Sequence, residues 1–345
     1  MYVALKALVL LLLVFSLGGC ESAHFYRQAI AGQTHLLWQR EAVPELLASD
    51  IDPQLRHQLE LSVDVLAYAK ESGLETGGAY TSYVETGRPY VVWNVFAADP
   101  LELALKTSCF PVAGCVSYRG YFREEDARQY AAKMLEQGLD VYVGGVGAYS
   151  TLGWFKDPLL DTFLFRSEEH LAALLFHELA HQLVYVKGDT RFNESLATAV
   201  EQYVLERYLA EKGRADDFVK YQASRARRDQ VISLVSKVRA ELRGVYASDL
   251  SREEKLKRKS VIIGELVVRY ERLAESWAEG NEYLYWMRSP INNAKLETVA
   301  DYHEWVPVME GQLEQRGFDG FVEWLQALAK LDSDERTQRL RDLSE

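Results

Sequence analysis

Two histidines and a glutamate in the middle of the chain have the types and spacing for metal-dependent acid–base chemistry. His177 and His181 lie four residues apart, with Glu178 beside the first, in the stretch LAALLFHELAHQLV. Residues four apart on an α-helix lie on the same face, so these two imidazoles can bind one metal ion. Glu178 can then act as general base on a molecule that the metal holds. The flanking positions are apolar, which favours a buried helix.

A catalytic zinc site needs a third protein ligand besides two histidines. Glu194 follows His181 in FNESLATAVE, after a turn that Lys187-Gly188-Asp189 predicts. With Asn193 as N-cap, Glu194 opens a second helix that folds back beside the first. Glu201 is the alternative third ligand. If Glu194 binds the metal, Glu201 accepts a hydrogen bond from a ligand histidine and fixes its tautomer; if Glu194 points away, the two roles are exchanged.

The stretch FNESLATAVE resembles the segment that supplies the third zinc ligand in gluzincin aminopeptidases, where a second glutamate also lies seven residues further on. The connection from the histidines is shorter here. Further stretches resemble a bacterial family of predicted aminopeptidases, often lipoproteins: CFPVAGCVSYRGYF, AYSTLGWFKDPLL, FHELAHQ, FNESLATAVEQ and PINNAKLE. The resemblance implies a zinc peptidase with one Zn²⁺ per chain and a peptide substrate. The Gly-x-Met-Glu-Asn stretch that binds the substrate ammonium in gluzincin aminopeptidases is absent, so action at the amino terminus is not fixed by the sequence.

The expected mechanism follows from these parts. Zinc lowers the pKa of a bound water and polarises the scissile carbonyl, while Glu178 takes the proton of the water and passes it to the leaving amine. The tetrahedral intermediate needs another hydrogen-bond donor, usually a tyrosine or histidine. Tyr149, Tyr302 and His303 are candidates for this oxyanion stabiliser.

Residues 1–19 predict a lipoprotein signal peptide. Lys6 precedes an apolar run from Ala7 to Leu17 that is too short to span a bilayer as a helix. It ends in Leu-Gly-Gly-Cys20, which resembles the bacterial lipobox and implies a lipid on Cys20. Glu21 implies sorting to the outer membrane, facing the periplasm. The alternative is an ordinary signal peptide in which Cys20 is incidental.

Charge and cysteine content narrow the remaining possibilities. The formal net charge is −12, which makes nucleic acid a poor partner. Cys109 and Cys115 are expected to form a disulfide in an exported protein; two free thiols or half of a metal site are the alternatives. The basic clusters Arg225-Ala-Arg-Arg228 and Lys255-Leu-Lys-Arg-Lys259 suggest either an anion-binding surface or, as the sequence favours, solvated helix faces.

We expect a mainly helical α+β fold that is zincin-like. Segments between Tyr90 and Gly153 should form a small sheet beside the histidine helix, and long C-terminal helices should form the other wall of the cleft. Helical spacing appears near 215–243, 253–280, 296–316 and 318–333. Residues 20–345 are treated as a single peptidase domain, with a possible subdivision near residue 213.

Two other functions share these residues. One is a non-catalytic zinc-binding lipoprotein of the cell envelope. The other is a zinc-dependent amide hydrolase that acts on cell-wall peptides.

Overall fold

The computed structural model describes residues 25–110, 114–148, 156–277, 280–299 and 303–344. Helices dominate this part of the chain and short strands accompany them, which confirms the prediction of a mainly helical α+β fold. Three residues that the sequence singles out, Cys20, Tyr149 and Tyr302, lie outside the described residues. No helix in the described ranges is long and apolar enough to cross a membrane.

The elements are numbered in chain order. The helices are α1 (25–38), α2 (Val43–Ala48), α3 (Pro53–Glu71), α4 (Glu124–Glu136), α5 (Asp161–Leu164), α6 (Glu168–Ala180), α7 (Thr190–Glu211), α8 (Ala215–Ala247), α9 (Arg252–Ala274), α10 (Leu284–Arg288), α11 (Asn293–Glu297), α12 (Val306–Ala329) and α13 (Ser333–Asp342). The strands are β1 (Glu41–Ala42), β2 (Ser82–Val84), β3 (Val92–Ala98), β4 (Ser108–Phe110), β5 (Gly114–Val116), β6 (Arg119–Tyr121), β7 (Asp140–Val146) and β8 (Leu159–Leu160).

Helices α6 and α7 pack against each other along their lengths and carry the candidate site. The apolar residues of α6, among them Leu171, Leu175 and Phe176, are fully buried. Glu168 and Glu169 occupy its first turn, where carboxylates interact favourably with the positive end of the helix dipole. Burial of the apolar face therefore fixes the side of α6 on which its polar residues must lie.

The turn between α6 and α7 differs from the expected one. Helix α6 ends at Ala180, and α7 begins at Thr190 with Asp189 as its N-cap, accepting a hydrogen bond from the backbone N–H of Phe192. The prediction of Asn193 as N-cap is wrong, because Asn193 lies inside α7. Its amide instead bonds both backbone groups of Val186, at 2.8 and 2.9 Å. Asn193 thus secures the connecting turn against the helix.

The strands form small separate sheets, in the orders β1-β2-β8, β6-β3-β7 and β4-β5. The segments between Tyr90 and Gly153 supply the second and third sheets, and Cys109 and Cys115 are joined by a disulfide across β4-β5. The expectation that this β-structure lies beside the histidine helix is wrong. Sheet β6-β3-β7 packs against α4 and α11, because its apolar side chains, such as Trp93 and Val95, are buried with alanines of α4.

Besides the cluster between sheet β6-β3-β7 and α4, two larger apolar cores hold the helices together in the described residues. The main core contains residues of α3, α6, α7 and α12 together with β2 and β8, and the second is built between α8, α9 and α10. The helices predicted near 215–243 and 253–280 correspond to α8 and α9. The helix predicted to start near Leu296 begins only at Val306, with Pro307 in its first turn. Gly317 interrupts this helix at a φ of 69°, which agrees with the predicted break between the helices near 296–316 and 318–333. The subdivision near residue 213 stays a prediction.

A buried polar junction joins the second core to sheet β6-β3-β7. Asn293, fully buried at the start of α11, donates from its side chain to the carbonyls of Asp99 and Glu102, each at 3.0 Å, and accepts from the hydroxyl of Tyr246. Its backbone N–H donates to Asp140 of β7. Every polar atom of this amide side chain is therefore matched, as burial requires.

We predict that Asn293→Asp destabilises the protein. The change keeps the side-chain shape but removes two donors and places a carboxylate against two carbonyl oxygens and Asp140. The free energy of unfolding should fall by about 2–4 kcal/mol, as expected for unsatisfied buried groups and an unpaired charge. Urea unfolding measures the change, and Gln326→Glu, the same type of replacement on an exposed position of α12, is the control. Equal stability of both variants would contradict the assigned role of Asn293.

Candidate metal centre

Three side chains from α6, α7 and the turn between them converge on one point. The ligand atoms offered by His177, His181 and Glu194 all lie within 4.8 Å of one another. The Nε2 atom of His177 is 3.3 Å from one carboxylate oxygen of Glu194, and the Nε2 atom of His181 is 3.7 Å from the other. The two imidazole rings are almost perpendicular. Both Nε2 atoms therefore face the same carboxylate.

Glu201 lies behind this group rather than in it. Its side chain is buried, and its Oε2 accepts a hydrogen bond of 2.9 Å from Nδ1 of His177. Because a carboxylate only accepts, the proton of this hydrogen bond belongs to Nδ1, and the ring then directs Nε2 at Glu194. Glu201 thus occupies the position that the sequence analysis gives to a residue that orients a ligand.

Two residues of α8 complete the surroundings of Glu201. The hydroxyl of Tyr221 and the guanidinium of Arg225 both donate to its Oε1, the latter at 3.2 Å. Sequence reasoning missed both side chains. They lie four residues apart and hence on one face of α8, which is a usable signal for a shared contact. Nothing in the sequence, however, indicates which buried acid that face meets.

The charges of Glu194 and Glu201 favour a positive charge at His177, which lies between them. Burial by itself lowers the pKa of His177, but its hydrogen bonds to Glu194 and Glu201 outweigh burial and raise the pKa to about 10. Burial and the nearby charge of His177 lower the pKa of His181 to about 4. Without a metal the structure therefore holds His177 as an imidazolium and His181 as a neutral imidazole.

Glu178 follows His177 on α6 and lines the same cleft, and its pKa is raised. Burial is the main cause, and the charges of Glu194 and Asp157 add to it, against the opposing effect of His177.

Tyr80 is a neighbour that the sequence did not indicate: Glu178 and Asp157 raise its pKa in addition to burial. Tyr80 is buried at a φ of 62°, and its backbone N–H donates to the carbonyl of Asp157 at 2.6 Å. A bulky residue rarely adopts this conformation, and such strain is found most often at functional sites.

His177 and Glu194 open onto a cleft of about 430 Å³, whereas His181 is buried. Its walls include Glu178, Tyr283 and His303 as well as polar residues of α8. His303, a candidate oxyanion stabiliser, accepts a 3.0 Å hydrogen bond at Nε2 from Arg228, so it presents no proton at that nitrogen. The other two candidates, Tyr149 and Tyr302, lie outside the described residues.

The donor set suits a zinc ion. Ligand atoms of a tetrahedral zinc site with bonds of about 2.0–2.1 Å lie about 3.4 Å apart, close to the 3.3 and 3.7 Å between the imidazole nitrogens and Glu194. Two histidines and one glutamate are a ligand set of catalytic zinc, and a carboxylate behind one histidine is its usual support. The residues present thus fit the metal that the motif implies.

The fold and this site define a mainly helical α+β protein with a histidine–histidine–glutamate cluster in an open cleft. The family model described as "putative aminopeptidase" matches residues 24–340, and the chain belongs to that family. No curated protein matches the chain, and no solved structure does.

We predict that Tyr221→Phe and Arg225→Gln weaken zinc binding although neither side chain touches the metal. Each removes a donor from the buried Glu201 and loosens the orientation of His177. Affinity for zinc should fall about 10-fold to 100-fold, the usual effect of losing such a support. Competition with a chromogenic chelator measures it. Tyr285→Phe, at a tyrosine that is 87% exposed, is the control and should not change the affinity; unchanged affinity in all three variants would contradict this role.

Zinc binding should release about one proton per chain at pH 8. The pKa of His177 is raised to about 10, so its Nε2 proton must leave, whereas His181, with a pKa of about 4, is already neutral. Because protons compete with zinc at His177, apparent affinity should rise about tenfold per pH unit from pH 7 to 9. Calorimetry in buffers of different ionisation enthalpy counts the proton. A release near zero would show that His177 is neutral before binding.

Proposed function

We propose that this protein is a zinc-dependent peptidase that acts as an aminopeptidase. The observation that carries the proposal is the position of Glu178, beside three converging donors and on the wall of the same open cleft. The family description supports peptide hydrolysis, and the ligand set supports zinc as its metal.

His177, His181 and Glu194 would hold the metal. When bound, zinc supplies a Lewis acid for the scissile carbonyl and lowers the pKa of water. Glu178 accepts the proton of the attacking water at its carboxylate and delivers it to the nitrogen of the leaving amine. Its raised pKa brings it closer to neutrality, where a group can both take and return a proton.

The other charged residues hold this arrangement in place. The hydrogen bond to Glu201 keeps a proton on Nδ1 of His177 and thereby directs Nε2 at the metal position. Burial raises the pKa of Glu201, but the hydrogen bond and charge of His177 outweigh it and lower the pKa, with Arg225 and Tyr221 adding to that effect. The side chains that orient the ligands are therefore themselves fixed, which a site needs if it is to be organised before substrate arrives.

A purely structural zinc site is the alternative of a different class. Structural zinc is almost always held by four protein ligands and closed to solvent. The described residues offer three donors here, and two of them, His177 and Glu194, line a cleft. Both features favour catalysis over a structural role.

The proposal includes a location in the bacterial envelope. Cys20, in its lipobox, would carry the lipid and hold the protein at the periplasmic face of the outer membrane.

We predict that the purified chain binds about one zinc. Glu178→Gln should keep this zinc but lower the turnover of peptides by about 1,000-fold or more, because only the proton acceptor is removed. Removing zinc with a chelator should abolish hydrolysis, and adding zinc should restore it. Metal analysis and turnover of a panel of N-blocked and N-free peptides measure both effects. Glu136→Gln, at an exposed acid of α4, is the control. Undiminished turnover by Glu178→Gln would contradict the proposal, and faster cleavage of N-blocked than N-free peptides would contradict action at the amino terminus.

A further inference from the structure

The cleft beside the metal centre contains more positive charge than the metal centre uses. Among the described residues, the carboxylates that line it are Glu178, Glu194 and Glu201. The proposed function assigns each of these three a task at the metal. The arginines of the lining are Arg166, Arg225 and Arg228.

Within the described part of the chain, one of the three arginines has a carboxylate partner. Arg225 is paired with Glu201 at 3.2 Å. Arg228 contacts the neutral acceptor Nε2 of His303, and no carboxylate of the described residues lies within ion-pair distance of Arg166 or Arg228. Both unpaired side chains remain accessible to solvent. Two guanidinium groups therefore face the cleft without a compensating negative charge from the part of the chain that the structure describes.

The placement of both groups follows from the fold. Tyr221, Arg225 and Arg228 occupy one face of α8, at spacings of four and three residues, so the contact of that face with Glu201 also brings Arg228 to the cleft. Arg166 lies just before α6, and its guanidinium is close to Gly147, which follows β7. The sequence favours a solvated helix face for the cluster around Arg225. That prediction is wrong for Arg225, which is paired with Glu201, whereas Arg228 is exposed to solvent and also lines the cleft.

We propose that Arg166 and Arg228 select peptides that carry a carboxylate in the part of the substrate that occupies this cleft. This inference rests on the proposed peptidase function. A guanidinium binds a carboxylate through two parallel hydrogen bonds and cannot be deprotonated, so it distinguishes a carboxylate from an amide of the same shape. The carboxylate can come from an acidic side chain or from the carboxyl terminus of a short peptide, and the chemistry of recognition is the same.

The test compares matched peptides with the zinc-loaded full chain. One arm uses C-terminally amidated tripeptides with glutamate or glutamine at each position in turn; the other uses trialanine with a free or an amidated carboxyl terminus. In at least one pair the carboxylate member should have a kcat/KM about 10-fold higher or more, as expected for hydrogen bonds to a charged group. The arm in which the preference appears identifies the source of the carboxylate.

Variants then connect the preference to the two arginines. Arg166→Gln and Arg228→Gln should each lower kcat/KM for the preferred peptide about 10-fold while changing that of its uncharged partner less than about 3-fold. Replacement by lysine keeps the charge without the planar fork and should give an intermediate loss. Arg243→Gln, at an exposed arginine of the same helix, is the control. A wild type without preference, or variants that lose both members of a pair equally, would overturn the proposal.

Binding separates this inference from the proposed function. In zinc-loaded Glu178→Gln, calorimetry should show tighter binding of the carboxylate peptide than of its amide partner, and Arg166→Gln or Arg228→Gln in that background should remove the difference. If no peptide is hydrolysed but this difference is found, the peptidase proposal fails and carboxylate recognition stands. If peptides are hydrolysed and the difference is missing, carboxylate recognition fails and the peptidase proposal stands.

Discussion

The buried carboxylate of Glu201 is the interaction on which the rest of the site depends. An ionised carboxylate inside a protein is costly unless donors surround it. Here the donors come from two other helices: His177 from α6, and Tyr221 and Arg225 from α8. The same hydrogen bonds that make the burial of Glu201 tolerable also fix the His177 ring and hold α8 against α6 and α7. Ligand orientation and cleft shape are therefore physically coupled.

Helix α8 transmits this constraint across the molecule. Its first half faces the metal centre, and its second half contributes Val231, Val235 and Val238 to the second apolar core. That core is tied to sheet β6-β3-β7 by the polar junction around Asn293 and Asp140. The sheet does not lie against the histidine helix, yet it supports the wall of the cleft through α8. This explains how the segments between Tyr90 and Val146 serve the site from a distance.

The electrostatic character of the cleft differs from that of the whole chain. The net charge is −12, but the described lining of the cleft contains equal numbers of carboxylates and guanidinium groups, three of each, and a bound divalent metal would make the lining positive. A small region of opposite sign inside an acidic protein attracts anionic groups locally while the surface stays strongly charged. Composition therefore describes the average charge of the chain and carries no information about the charge of the cleft.

The sequence by itself determined the contacts that lie close along the chain. His177 and Glu178 lie in the last turn of α6, His181 is its C-cap, and Glu194 follows in the next helix, so helix geometry and a short connection bring them together. The break at Gly317 and the start of α4 at Glu124 were equally local. Tertiary structure alone decided that Tyr221, Arg225 and Arg228 face this site, that Tyr80 lies near Glu178, and that the sheet packs on α4. These contacts join elements far apart in sequence, and they depend on which apolar faces pack together, a choice that local spacing does not specify.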